Sequence, residues 1–173
     1  MPRKTISRRY YIGSLARHPK SLRGSQVITA PMTRPTKNPL KLRSRARRAV
    51  LQALYQWQMS GRDTGIAGDD FLAQWEFPPL DEDYFRELTR EIPQAVARLD
   101  ERLAPVISRP LNQTDPVERA ILWIGVYELV FRPDIPWRVV INESVELAKT
   151  FGAQQSHKYI NGILDKLAKA ARG

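Results

Sequence analysis

The 173-residue chain contains no cysteine, and no acidic residue occurs before Asp63. Without cysteine there is no disulfide, no zinc–thiolate site and no thiol nucleophile, a composition that fits a reducing cytosol. Imidazole is scarce as well: His18 and His157 are the only two, far apart in the chain. No apolar run reaches the roughly 18 residues that a membrane span needs, and the N-terminus lacks the apolar stretch of a secretory signal. The glycines follow no phosphate-loop pattern, and no Gly-x-Ser-x-Gly element occurs. Glu143 and Glu146 share a helix face, but no His or third carboxylate stands at metal-ligand spacing, so they read as a solvated acidic face. No catalytic residue, metal or cofactor is expected.

What is present is charge, and it is polarised. The first 62 residues carry fifteen Lys or Arg and no acid, whereas residues 63–173 carry thirteen basic and eighteen acidic side chains; +15 and −5 make up the net +10. The densest point, Arg43-Ser44-Arg45-Ala46-Arg47-Arg48, runs without Gly or Pro into Ala49-Val50-Leu51-Gln52-Ala53-Leu54-Tyr55-Gln56-Trp57. An arginine-rich entry to a helix, with an aromatic about two turns later, suits nucleic acid. Residues 1–42, punctuated by Pro2, Pro19, Pro31, Pro35 and Pro39, have too few large apolar residues to offset their ordering entropy and read as a flexible basic extension. It would add non-specific phosphate contacts. An inert tail, an extension upstream of a start at Met32, or an organellar transit peptide shares that composition.

From Arg43 onward the period is helical. Ala46, Ala49, Val50, Ala53, Leu54 and Trp57 form one apolar stripe that Gly61 can close. A short helix is expected over Asp69–Trp75. Asp81 can cap another through Tyr84, Phe85, Leu88 and Ile92, and Pro93 either kinks it or opens a new helix. Asp115-Pro116-Val117-Glu118 combines a capping residue, a first-turn proline and a glutamate at the third helical position. Two more helices follow, one ending near Gly152 and one starting at Ser156. No alternating strand pattern appears, so the expected fold is all-α, with about seven helices and a domain over residues 43–173.

Helical phase singles out two surfaces. At about 100° per residue, Tyr55 falls opposite the stripe begun by Ala46, with Arg48 beside it and Leu51 and Gln52 flanking. An exposed tyrosine among guanidinium groups makes a base-stacking platform for a single strand, although an ordinary solvated face has the same composition. Trp57 lies back in the stripe and is expected in the core. The second surface is Phe151 to Gly162, where a helix N-terminus, Lys158 and Tyr159 repeat the pairing of cation and aromatic; Ser156 as a plain cap is the simpler reading.

At these residues the chain resembles the NusB family of bacterial transcription antitermination factors. The resemblance is carried by the Arg43–Arg47 and Gln52–Gln58 segments, Glu118-Arg119-Ala120-Ile121-Leu122, Tyr127-Glu128-Leu129, Val140–Lys149 and His157–Lys166, and covers about residues 43–169. It implies two antiparallel helical sub-bundles, a cytoplasmic protein with no catalytic activity, and binding of single-stranded boxA RNA in nascent ribosomal transcripts. That binding would occur together with NusE, a small-subunit ribosomal protein, within the RNA polymerase antitermination complex. Matched by position, RNA contact is implied for Arg43, Arg45 and Arg47, with Arg48 beside them, for Tyr55, and for a second patch of Phe151, Gln155, Lys158 and Tyr159. Glu118, with Arg119 beside it, matches a NusE-facing position. Ser44 and Gln155 depart from the family pattern, where an arginine and an acid can stand. An RNA-binding module related to the N-terminal domains of rRNA methyltransferases, or a protein-interaction bundle with solubilising arginines, are the alternatives from other classes.

Overall fold

The computed structural model describes residues 38–62, 65–76 and 78–172. The extension before Asn38, with His18, lies outside them. The described residues form six α-helices and no strand: α1 (Pro39–Met59), α2 (Gly68–Ala73), α3 (Glu82–Leu103), α4 (Pro116–Phe131), α5 (Trp137–Phe151) and α6 (Ser156–Arg172). A 3-10 turn, Leu111–Gln113, precedes α4. The choice left open at Pro93 resolves to one continuous helix, α3, which accounts for six helices rather than seven.

Local chemistry sets the ends. The Asn38 side chain accepts from Leu40 N–H and Pro39 occupies the first turn, so α1 starts four residues before the composition boundary at Arg43. Its other end is a left-handed turn: Gly61 has φ 91°, its N–H reaches Gln58 O at 3.4 Å, and Arg62 N–H reaches Trp57 O at 3.3 Å. Asp81 caps α3 by accepting from Tyr84 N–H, and Asp115 caps α4 by accepting from Val117 and Glu118 N–H, both as the sequence suggests.

Helix α4 is apolar nearly all round and buried from Val117 to Leu129 except at Arg119, as befits an element covered on every side. Helices α1 and α3 pack on each other and on α4, with α2 on α3; α5 and α6 pack on each other and on α4. The two sub-bundles therefore share one central helix. Trp57 of α1 meets Trp123 of α4 edge-on, ring centres 6.2 Å apart. At Gly125 a Cβ would lie 2.8 Å from Leu164 Cδ1 and 3.1 Å from Ser144 Oγ, so the missing side chain is what lets α4, α5 and α6 approach. At the far end of α4 the Arg172 guanidinium donates to the carbonyls of Glu128, Leu129, Arg132 and Ile135, where the helix leaves acceptors unused.

Candidate nucleic-acid interface

The arginine-rich start of α1 divides between the inside and the outside of the protein. Arg48 is exposed and makes no hydrogen bond or ion pair among the described residues. Arg45 is half-buried and its Nη1 donates to Pro79 O at 3.0 Å. Arg43 lies 3.7 Å from Asp81 Oδ2, with its guanidinium 4.6 Å from the centre of the Tyr84 ring. Arg47 departs from the expectation of a phosphate-facing side chain: it is 3 % exposed, Nε donates to Glu128 Oε1 at 2.8 Å, and Nη1 lies 3.3 Å from Glu143 Oε2. Its phase explains this, because Arg47 lies one position past Ala46 and so borders the stripe that α4 covers. Glu143, read as part of a solvated face, is thereby half of an ion pair, while Glu146 pairs with Lys149.

Glu128 is wholly buried and also accepts from the Tyr84 hydroxyl. Burial raises its pKa, opposed by the Arg47 guanidinium and the Tyr84 hydrogen bond. Burial works against the Arg47 charge too, but the Glu128 carboxylate prevails and keeps the guanidinium protonated above its ordinary range. The Tyr84 phenol is pushed well up, by burial first and by Glu128 second. Such a network ties α1 and α3 to α4 and keeps the Arg47 charge from a ligand. A glutamate inside Gly125-Val126-Tyr127-Glu128-Leu129-Val130-Phe131 was the available signal for it, since an acid in an apolar helix run needs an internal cation.

Farther along α1, Leu51, read as flanking an exposed tyrosine, is 2 % exposed, and Tyr55 is half-buried against the core. Contact with both α3 and α4 widens the covered arc beyond one stripe, so that beyond the first turn, where Pro39, Leu40 and Lys41 are exposed, Arg48, Gln56 and Met59 are the fully outward residues of α1, with Arg45, Gln52 and Tyr55 at its edges. Trp57 is in the core, as expected.

The second patch gathers at the end of the bundle reached by the tail of α1. Gln58 Nε2 donates to Pro116 O at 2.9 Å, joining α1 to the start of α4. Ser156 Oγ donates to Glu118 Oε1 at 2.6 Å, joining the start of α6 to the same turn. These two bonds bring Tyr55 and the Phe151–Tyr159 region to one end of α4. There Lys158 and Gln155 are exposed, Gln155 with φ 72°, while Phe151 and Tyr159 are half-buried. Ser156 is the first residue of α6 and is buried, so it acts as a cross-link rather than as a plain cap.

Glu118 also differs from its expected outward role. It is 5 % exposed, and its second oxygen accepts from Arg109 Nη2 at 3.0 Å. The third helical position pointed to capping, but the carboxylate is drawn inward by Ser156 and Arg109. Arg119 is half-buried, donates to Thr114 O at 3.2 Å and lies 6.0 Å from the Trp123 ring centre; burial, then the nearby Arg62 charge, lowers its pKa. Arg109 itself, in the α3–α4 connection, carried no sequence signal. Among the described residues no group of three or more His, Cys, Asp or Glu is placed to hold a metal ion. Also among them, no helix is long and apolar enough to cross a membrane.

The comparisons with known proteins agree with the all-helical fold. Residues 44–169 match the model of the NusB family. The chain is 53 % identical over 130 residues to the transcription antitermination protein NusB of Nitrosococcus oceani, covering 75 % of this chain and 87 % of that one. It is 51 % identical over 125 residues to the NusB of Shewanella amazonensis, covering 72 % and 93 %. A solved structure of T. maritima NusB superposes with a TM-score of 0.60 at 30 % identity, covering 75 % of this chain and 92 % of the other.

Proposed function

The chain belongs to the NusB family of transcription antitermination proteins, and from that premise we propose that it binds single-stranded boxA RNA along the outward edge of α1 and the start of α6. The observation that carries the proposal is the exposed Arg48, without an ion-pair partner among the described residues, on a face shared with Arg45, Gln52 and Tyr55 that leads along α1 toward the end of α4 where Lys158 lies. Arg43, Arg45 and Arg48 neutralise phosphates, and Tyr55 with Phe151 offers aromatic surface to bases. Arg47 serves the site from inside by holding α1 on Glu128. No step of this reading is catalytic, and it places the protein at nascent transcripts in the cytoplasm.

NusE is the proposed protein partner. As a basic ribosomal protein it complements the acidic excess after residue 62, which speeds and orients encounter more than it adds affinity. With Glu118 turned inward, that encounter falls to exposed groups around the start of α4 such as Asp115. The RNA assignment is tested by titrating boxA strand, scrambled strand and duplex across a salt series. Tighter binding of the boxA strand than of duplex, with a steep salt slope, supports it; equal, salt-insensitive binding of all three removes it.

A further inference from the structure

Arg109 gives the second patch a feature that goes beyond the family's matched positions, and the inference rests on the RNA-binding reading above. Its guanidinium carbon lies 4.4 Å from the centre of the Tyr159 ring, and Nη2 is held by Glu118 Oε2 at 3.0 Å. Glu118 is held in turn by Ser156 Oγ at 2.6 Å. Both Glu118 and Ser156 are buried, so the carboxylate that fixes Arg109 is itself fixed. The Arg109 side chain nevertheless keeps 47 % of its surface exposed. Tyr159 is anchored the other way round: its hydroxyl is buried and without a hydrogen-bond partner among the described residues, and the ring is covered by the guanidinium.

A guanidinium is planar and stacks on aromatic faces, and with 47 % of the side chain exposed Arg109 has surface left over for a second planar group. We propose that the outer plane of Arg109 is a stacking surface for one base of the bound single strand, so that base, guanidinium and Tyr159 ring form a single column beside Lys158. Stacking on arginine planes is a general mode of single-strand recognition. Phosphate neutralisation is the weaker role for this residue, because Glu118 already balances its charge. Arg109 also arrives preorganised, which limits the side-chain entropy lost on binding.

The test uses the full chain with Arg109→Lys, Arg109→Ala and, as a reference on α1, Arg48→Ala. Each is titrated with boxA RNA at several salt concentrations and with strands carrying one abasic nucleotide at successive positions. Lysine keeps the charge and loses the plane. Stacking therefore predicts that both Arg109 variants weaken binding about 5-fold or more with an unchanged salt slope, a loss in line with one stacked base. It also predicts that the loss disappears for one particular abasic strand. Wild-type affinity in Arg109→Lys overturns the proposal in favour of a charge contact, and an equal loss on every abasic strand overturns it in favour of a merely structural role. If Arg48→Ala weakens binding while Arg109→Lys does not, the RNA reading stands and this column falls. If neither the wild type nor any variant distinguishes boxA strand from duplex, both fall together.

Discussion

Arg47 and Arg48 are neighbours in one basic run, yet they belong to different parts of the molecule. Arg47 is buried on Glu128 and Glu143, and Arg48 is exposed with no partner among the described residues. The inner face of α1 uses guanidinium charge to join helices; the outer face leaves it for a ligand. A count of arginines in a motif therefore overstates the charge left on the surface. One step of about 100° around the helix is enough to change a side chain's role.

The comparison breaks most visibly at its inner half. Arg47→Met leaves Glu128 buried without its cation and is expected to lower the unfolding free energy by about 3–5 kcal/mol, read from chemical denaturation. Changing Glu128 to Leu in the same chain should recover much of that loss, since no charge is then stranded. If Arg47→Met instead folds normally and lowers the salt slope of RNA binding, the division between the two faces is wrong.

Tyr55 lies on the border and sharpens the contrast. Tyr55→Ala should cost about 1–3 kcal/mol of RNA binding, leave the salt slope intact, and also lower the melting midpoint because the ring packs partly on the core. A stability loss with unaltered RNA affinity would assign Tyr55 wholly to the inside. Tyr127 reports on the inner side by pH. Burial, then Glu87, pushes its pKa up to about 12, so the neutral phenol is favoured in the folded state. Its contribution is fully present below the ordinary tyrosine value of about 10 and is lost as pH rises through about 12. Tyr127→Phe should flatten the fall in melting midpoint across that window; an unchanged fall would place the alkaline sensitivity elsewhere. The smallest effect on folding is expected outside: Arg48→Ala should stay within about 0.5 kcal/mol of the parent in stability while reducing the salt slope by about 0.7. A slope that does not move would remove Arg48 from the interface.

Sequence alone determined the all-α class, because the apolar period persists through each helix and the capping residues act within one turn of their own position. Asp81 and Asp115 needed no tertiary information, and neither did Gly61. The proposed RNA face was readable to the extent that phase separates Ala46 from Arg48. What tertiary structure decided was how wide the covered arc is, for Leu51 and Arg47 lie at margins that one packed neighbour would leave open and two close. It also decided where Glu118 points. A local pattern offers that carboxylate a cap, but Ser156 and Arg109, distant in sequence, meet it only when α6 and the α3–α4 connection pack beside the start of α4. Periodicity is a property of one helix, whereas the extent of burial and the pairing of buried charges are properties of the helices that surround it.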